Sequence, residues 1–85
     1  MTSAPQPTEA AQRLASRYAR FLELVDQCAR AVAAGDWVVL ADETGELSVT
    51  ADEVSAAAEA LTRDEQPTSG ADILAAVKEQ ARPAD

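Results

Sequence analysis

The side chains able to do chemistry in this sequence are almost all carboxylates. There are 15 Asp and Glu residues, no His, and a single Cys at position 28. Without His, a Ser-His or Cys-His nucleophile pair is impossible. A zinc site built from the usual Cys and His ligands is equally impossible from one chain. Carboxylates can still hold a hard cation. The densest acidic stretch is Asp42-Glu43-Thr44-Gly45-Glu46-Leu47-Ser48, followed by Asp52-Glu53. A calcium loop of the EF-hand kind needs Asp at its first position and a bidentate Glu six residues after its Gly. Counted from Gly45, those two positions hold Leu40 and Ala51. The stretch therefore reads as an acidic turn, and no metal or cofactor is expected. Paired carboxylates could do general acid–base work, but so small a chain lacks the bulk for a water-excluding pocket. Ser48 and Ser69 lack the Asp-Ser-Leu context of a carrier protein's attachment site. No enzyme is expected.

Cys28 cannot close an internal disulfide. On an apolar stripe it acts as a small hydrophobe. At a symmetric helix seam it could bridge two chains only under oxidising conditions.

The charge is unevenly spread. The 85 residues carry a formal charge of -8. Residues 1–35 hold three acids and four bases, whereas residues 36–85 hold twelve acids and three bases. An acidic lobe of this density repels phosphates and attracts basic surfaces. Direct nucleic-acid binding is disfavoured, and a basic protein partner is favoured. The alternative is that the acids only keep the chain in solution.

The apolar fraction is 47%, but 20 of those residues are Ala, and Leu, Ile, Val and Phe together number 16. That places the composition beside intrinsic disorder. No signal-peptide pattern opens the chain, and no run approaches the roughly 20 apolar residues of a membrane span. A cytoplasmic protein is the expectation. The Ala, Arg and Asp usage hints at a GC-rich bacterial or phage genome.

The elements that must position these groups begin with a long helix over residues 8–34. Thr8 can cap it, Gly35 can end it, and neither Gly nor Pro interrupts it. Leu14, Tyr18, Phe21, Val25, Cys28 and Val32 follow a 3.5-residue repeat, the pattern of a helix–helix seam. Such a helix is about 38 Å long at 1.5 Å per residue, which is long for so small a chain to cover. The seam is therefore expected to pair with a second copy or a partner. Arg13, Arg17 and Arg20 line one side of it, either solvated or docking an acidic surface.

Residues 37–50 read as a β-hairpin. Trp37-Val38-Val39-Leu40 favours strand, Asp42-Glu43-Thr44-Gly45 is a turn signal, and Leu47 and Val49 alternate with polar residues. Thr50 and Glu53 spell a capping box, with Val49 and Val54 placed as a hydrophobic staple. That predicts a helix over 51–65, ended by Pro67. Ser69 caps a further helix over 70–81. Residues 1–7 and 82–85 read as tails around one small domain, 8–81. The predicted class is α+β, mainly helical: a long N-terminal helix, a β-hairpin and two short C-terminal helices.

The segment from Gly35 to Val54 resembles the strand, Gly turn, strand and capped helix of swapped-hairpin and excisionase-like antitoxins. The resemblance implies a small regulator. The basic DNA-reading segment of those proteins is absent here, which puts DNA binding in doubt.

The expectation is a small acidic, non-enzymatic, regulatory interaction module. It self-associates through the first helix as a homodimer and binds a basic protein. The alternative is an antitoxin-like or phage-type inhibitor that mimics nucleic-acid charge. The candidate interaction residues are Leu14, Tyr18, Phe21, Val25, Trp37, Asp42, Glu43, Glu46, Asp52 and Glu53. The aromatics are natural core anchors in an Ala-rich chain; an exposed Trp37 would mark an interface instead.

Overall fold

The computed structural model of the chain describes residues 8–63 and 68–81. The tails assigned to 1–7 and 82–85, and the end of the helix predicted over 51–65, lie outside those residues. Three helices are present, α1 (Glu9–Ala34), α2 (Trp37–Thr62) and α3 (Gly70–Ala81).

The ends of α1 follow from local chemistry. The Thr8 Oγ1 accepts a hydrogen bond from the Ala11 backbone N–H at 3.1 Å, satisfying one of the orphan donors of the first turn. Gly35 takes φ 68°, the left-handed conformation that glycine adopts without a Cβ penalty. One residue later the chain turns back. The Asp36 Oδ1 accepts from the Val39 N–H at 3.2 Å and starts α2.

The predicted β-hairpin over 37–50 is not formed. Trp37 to Thr62 is one continuous helix, and the described residues contain no strand. The α+β class is thus corrected to all-helical. The separate helix predicted from residue 51 is the second half of α2. Thr50 is not a cap: its hydroxyl donates to the Glu46 carbonyl at 2.9 Å, inside the helix. Gly45 is a helical residue without a positive φ. With no strands, the likeness to swapped-hairpin antitoxins falls as well, and the acidic stretch from Asp42 to Glu53 is not a loop.

Tertiary packing overrides strand propensity here. Leu40, Glu43, Leu47, Thr50, Val54, Ala57 and Leu61 are covered, and apart from Ala60 the rest of α2 is exposed. Their spacing alternates 3 and 4, a helical seam. It escapes a search for large apolar residues because Glu43, Thr50 and Ala57 occupy three of its seven places.

α1 is the middle helix. It packs against α2 along one side and against α3 along another, while the backbones of α2 and α3 do not approach each other among the described residues. The chain spans 52 × 33 × 15 Å, a slab rather than a bundle closed around a core. Among the described residues, Leu24 is the only large side chain that is fully buried. Ala11, Ala15, Ala31, Ala57 and Val77 complete the buried apolar set.

Candidate protein-binding surface

The pattern of cover along α1 shows where neighbours are missing. From Ala10 to Phe21 most of its circumference is covered, including Leu14, Tyr18 and Phe21. Beyond Phe21 only Leu24, Cys28 and Ala31 are covered, a single narrow stripe. Gln80 in the last turn of α3 shares a shallow cleft with Ser16, Ala19, Arg20 and Glu23. α3 is 12 residues long, about 18 Å, so it flanks only the N-terminal half of α1. The other half, with the start of α2, is a two-helix tip.

With Val49 and Leu74 exposed elsewhere, that tip carries most of the exposed large apolar side chains. Leu22, Val25, Val32, Trp37, Val38 and Val39 all lie there, within about 20 Å of the Gly35 turn at 1.5 Å per residue. Trp37 is 63% exposed and Val38 76%. Three consecutive helical residues fan through about 200°, so α1 cannot cover all of Trp37, Val38 and Val39.

The two broad faces of the slab differ in kind. On α1 the covered series toward α2 runs Leu14, Tyr18, Phe21, Leu24, Cys28, Ala31. Each residue just before a member of it is turned about 100° to one face: Arg13, Arg17, Arg20, Glu23, Gln27 and Arg30. Each residue just after turns to the other: Ala15, Ala19, Leu22, Val25, Ala29 and Val32. On α2 the residues before the seam include Asp42, Glu46, Val49 and Glu53, and those after it are Ala41, Thr44, Ser48, Ala51, Ser55, Ala58 and Thr62. Ion pairs tie the two "before" sets together. Arg20 meets Glu46 at 3.1 Å, and Arg17 meets Glu53 at 3.5 Å. One face is therefore charged and the other carries no charge on either long helix.

The Arg13–Arg17–Arg20 side thus finds acids within its own chain. Arg20 also bonds Glu23 at 3.0 Å. That hydrogen bond, with the charge of Glu46, raises the guanidinium above its ordinary value and outweighs its partial loss of hydration. Asp42 and Asp52 are exposed, as are the ion-paired Glu46 and Glu53. Glu43 departs from the expected acidic cluster. It lies in the α1–α2 seam, and its Oε2 is buried without a hydrogen-bond partner.

The predicted site residues are thereby divided. Trp37 and Val25 lie at the open tip, Leu14, Tyr18 and Phe21 are half-buried, and the acids lie mostly on the charged face. The Tyr18 and Phe21 rings stack with centroids 6.2 Å apart. Among the described residues no group of three Asp, Glu or Cys is placed to hold a metal. The cleft beside Gln80 has a volume of about 170 Å³, below the roughly 300–1,000 Å³ of small-molecule pockets.

Sequence reasoning missed Val38, Val39 and Leu22 as parts of the site, and Leu24 as the buried anchor beneath it. The available signal was the all-apolar run at 37–40, two residues after a helix-ending Gly and directly after the capping residue Asp36. The fold is thus an all-helical, three-helix layer whose two long helices share one uncharged face. No family model, no curated protein and no solved structure matches the chain. No described helix is long and apolar enough to cross a membrane.

Proposed function

We propose that this chain is a non-enzymatic protein-interaction module that associates through the apolar side of α1 and binds a basic protein through the acids of α2. The observation that carries the reading is the tip, where six large apolar side chains stay exposed on a chain with few to spare. Residues that could have built a core are left for another chain. The second half of the reading rests on α2, which holds six acids and no base between Trp37 and Thr62. A basic protein meeting that surface gains charge attraction that salt screens.

The test is capture of partners from the native host, then measurement of the recovered complex at rising salt. Binding to a basic protein should weaken steeply with salt and with Asp42→Asn combined with Asp52→Asn. Salt-independent binding, or recovery of no basic protein, counts against the acidic half.

A second reading, inhibition of a nucleic-acid-binding protein by charge mimicry, uses the same unbroken acidity of α2. Recovery of a nuclease, polymerase or DNA-binding protein would select it; their consistent absence would remove it. Both readings suit a cytoplasmic regulatory protein of a bacterium or phage.

A further inference from the structure

We infer that the first half of α2, residues 37–49, is a strap that opens from α1 as one cooperative unit while the second half stays helical and packed. Thr50, which lies inside the intact helix, becomes the N-cap of the shortened one. The inference rests on packing within the chain and goes beyond the association proposed above.

Three observations divide α2 at Thr50. The first is cover. Both fully buried residues of α2, Thr50 and Ala57, lie in its second half. In the first half only Leu40, Glu43 and Leu47 are covered, each in part. Of these three, Glu43 brings a carboxylate oxygen into the seam without a hydrogen-bond partner. The Arg17–Glu53 pair sets the second half of α2 against the half of α1 that α3 also flanks, so the first half lies at the thinner end of the slab. Segments with few buried apolar contacts open at less cost than the whole fold.

The second observation is local preference. Residues 37–49 hold Val38, Val39, Thr44 and Val49, with Gly45 in the interior and a single Ala, whereas residues 51–62 hold five Ala. Gly and β-branched residues are poor helix formers and Ala is the best. The two halves therefore differ in what each does without its neighbour.

The third is the boundary. Thr50 and Glu53 have the spacing of a capping box, and Val49 and Val54 that of its hydrophobic staple. In the intact helix the Thr50 hydroxyl donates to the Glu46 carbonyl at 2.9 Å. When residues 37–49 leave the helix, the Glu53 N–H loses the carbonyl one turn before it, and the Thr50 Oγ1 is the group spaced to accept it. Opening stops there because the next turn already carries its cap. It uncovers Leu24, Cys28 and Ala31 on α1 and breaks the Arg20–Glu46 pair, while the Arg17–Glu53 pair stays. The strap thus governs whether that stripe of α1 can be reached.

The test is hydrogen exchange of the full chain, followed amide by amide by NMR. The amides of 41–49 should share one opening constant, about tenfold or more above that of 54–61. Gly45→Ala, where a Cβ meets nothing within 4 Å, should slow 41–44 and 46–49 alike, by about fivefold. Thr50→Val keeps the shape of the side chain and removes the capping oxygen, which acts on the open state. It should also slow 41–49, by up to about fivefold. Rates graded toward Trp37, with Gly45→Ala acting on 46–49 alone, are simple fraying and overturn the cooperative unit. One opening constant along the whole of α2 overturns the division at Thr50, and so does unchanged or faster exchange of 41–49 in Thr50→Val. Should Thr50→Val fail to fold, the unaltered chain and Gly45→Ala decide between the same outcomes.

Discussion

α1 and α2 are both 26 residues long and lie side by side, yet they are helical for different reasons. α1 has a Thr cap, a Gly stop and an unbroken run of helix-compatible residues. α2 opens on Trp-Val-Val, carries Gly45 in its interior and contains Thr44 and Thr50, whose hydroxyls bond back to carbonyls one turn earlier. Each of these weakens an isolated helix. α2 is therefore held by its neighbour, and α1 is the template. This difference also explains the slab. α3 supports α1 at one end, α2 leans on α1 along its length, and no described residue covers α2 from the far side.

The sharpest way to break the comparison is Leu24→Ala. Leu24 is completely buried on the template helix and belongs to the only covered stripe of α1 near the tip. Its truncation should cost about 2–5 kcal/mol, measured by urea unfolding at fixed protein concentration. The loss of helix signal should exceed what α1 alone contributes, since α2 depends on the same contact. A cost under about 1 kcal/mol, the range of surface substitutions, would mean that α2 stands by itself.

The next effect has the opposite sign. The buried Glu43 Oε2 has no partner, and an unsatisfied buried acceptor costs about 1–3 kcal/mol. Glu43→Leu restores an apolar residue to the seam and should stabilise the chain by a similar amount. Loss of stability on this change would show that the carboxylate holds an arrangement that Leu cannot.

Glu43 and Leu24 also show why only part of the molecule was legible in the sequence. The limits of α1 stand in Thr8 and Gly35, whose roles are local. The α2 seam does not announce itself, because three of its seven members are Glu, Thr and Ala. Thr50 and Glu53 spell a capping box that the intact α2 does not use, since a helix already running through them satisfies their backbone. Leu24 was hidden by Val25, which fits the 4-3 spacing equally well; only the position of α2 decides between them. The candidate site divides in the same way. The acidity of residues 36–85 is a matter of counting. Which acids are paired, exposed or buried depends on the register that sets Glu46 and Glu53 against Arg20 and Arg17.

Gly45→Ala tests the weakness of α2 at a single residue. A Cβ at Gly45 meets nothing within 4 Å, and the backbone is helical with no positive φ. Ala in place of an interior helical Gly should add about 1 kcal/mol, read as a rise in the unfolding midpoint. No gain would mean that the helix is interrupted there in solution, in favour of the turn that Asp42-Glu43-Thr44-Gly45 encodes.

The smallest effect comes from the charged link between the helices. Arg20→Gln removes the bonds to both Glu46 and Glu23 but leaves the seam intact. These side chains are about half exposed, so water and salt already screen the pairs. The midpoint should fall by less than the Gly45→Ala rise. The fall should vanish in about 1 M salt, where the Debye length is near 3 Å. Glu46 then joins Asp42 as an unpaired acid on α2, so binding to a basic protein should strengthen at low salt while the fold weakens. A fall that persists at high salt would instead assign Arg20 a packing role, its aliphatic stem covering the α1–α2 seam. The template helix would then hold α2 by contact on both sides of the seam rather than by charge on one.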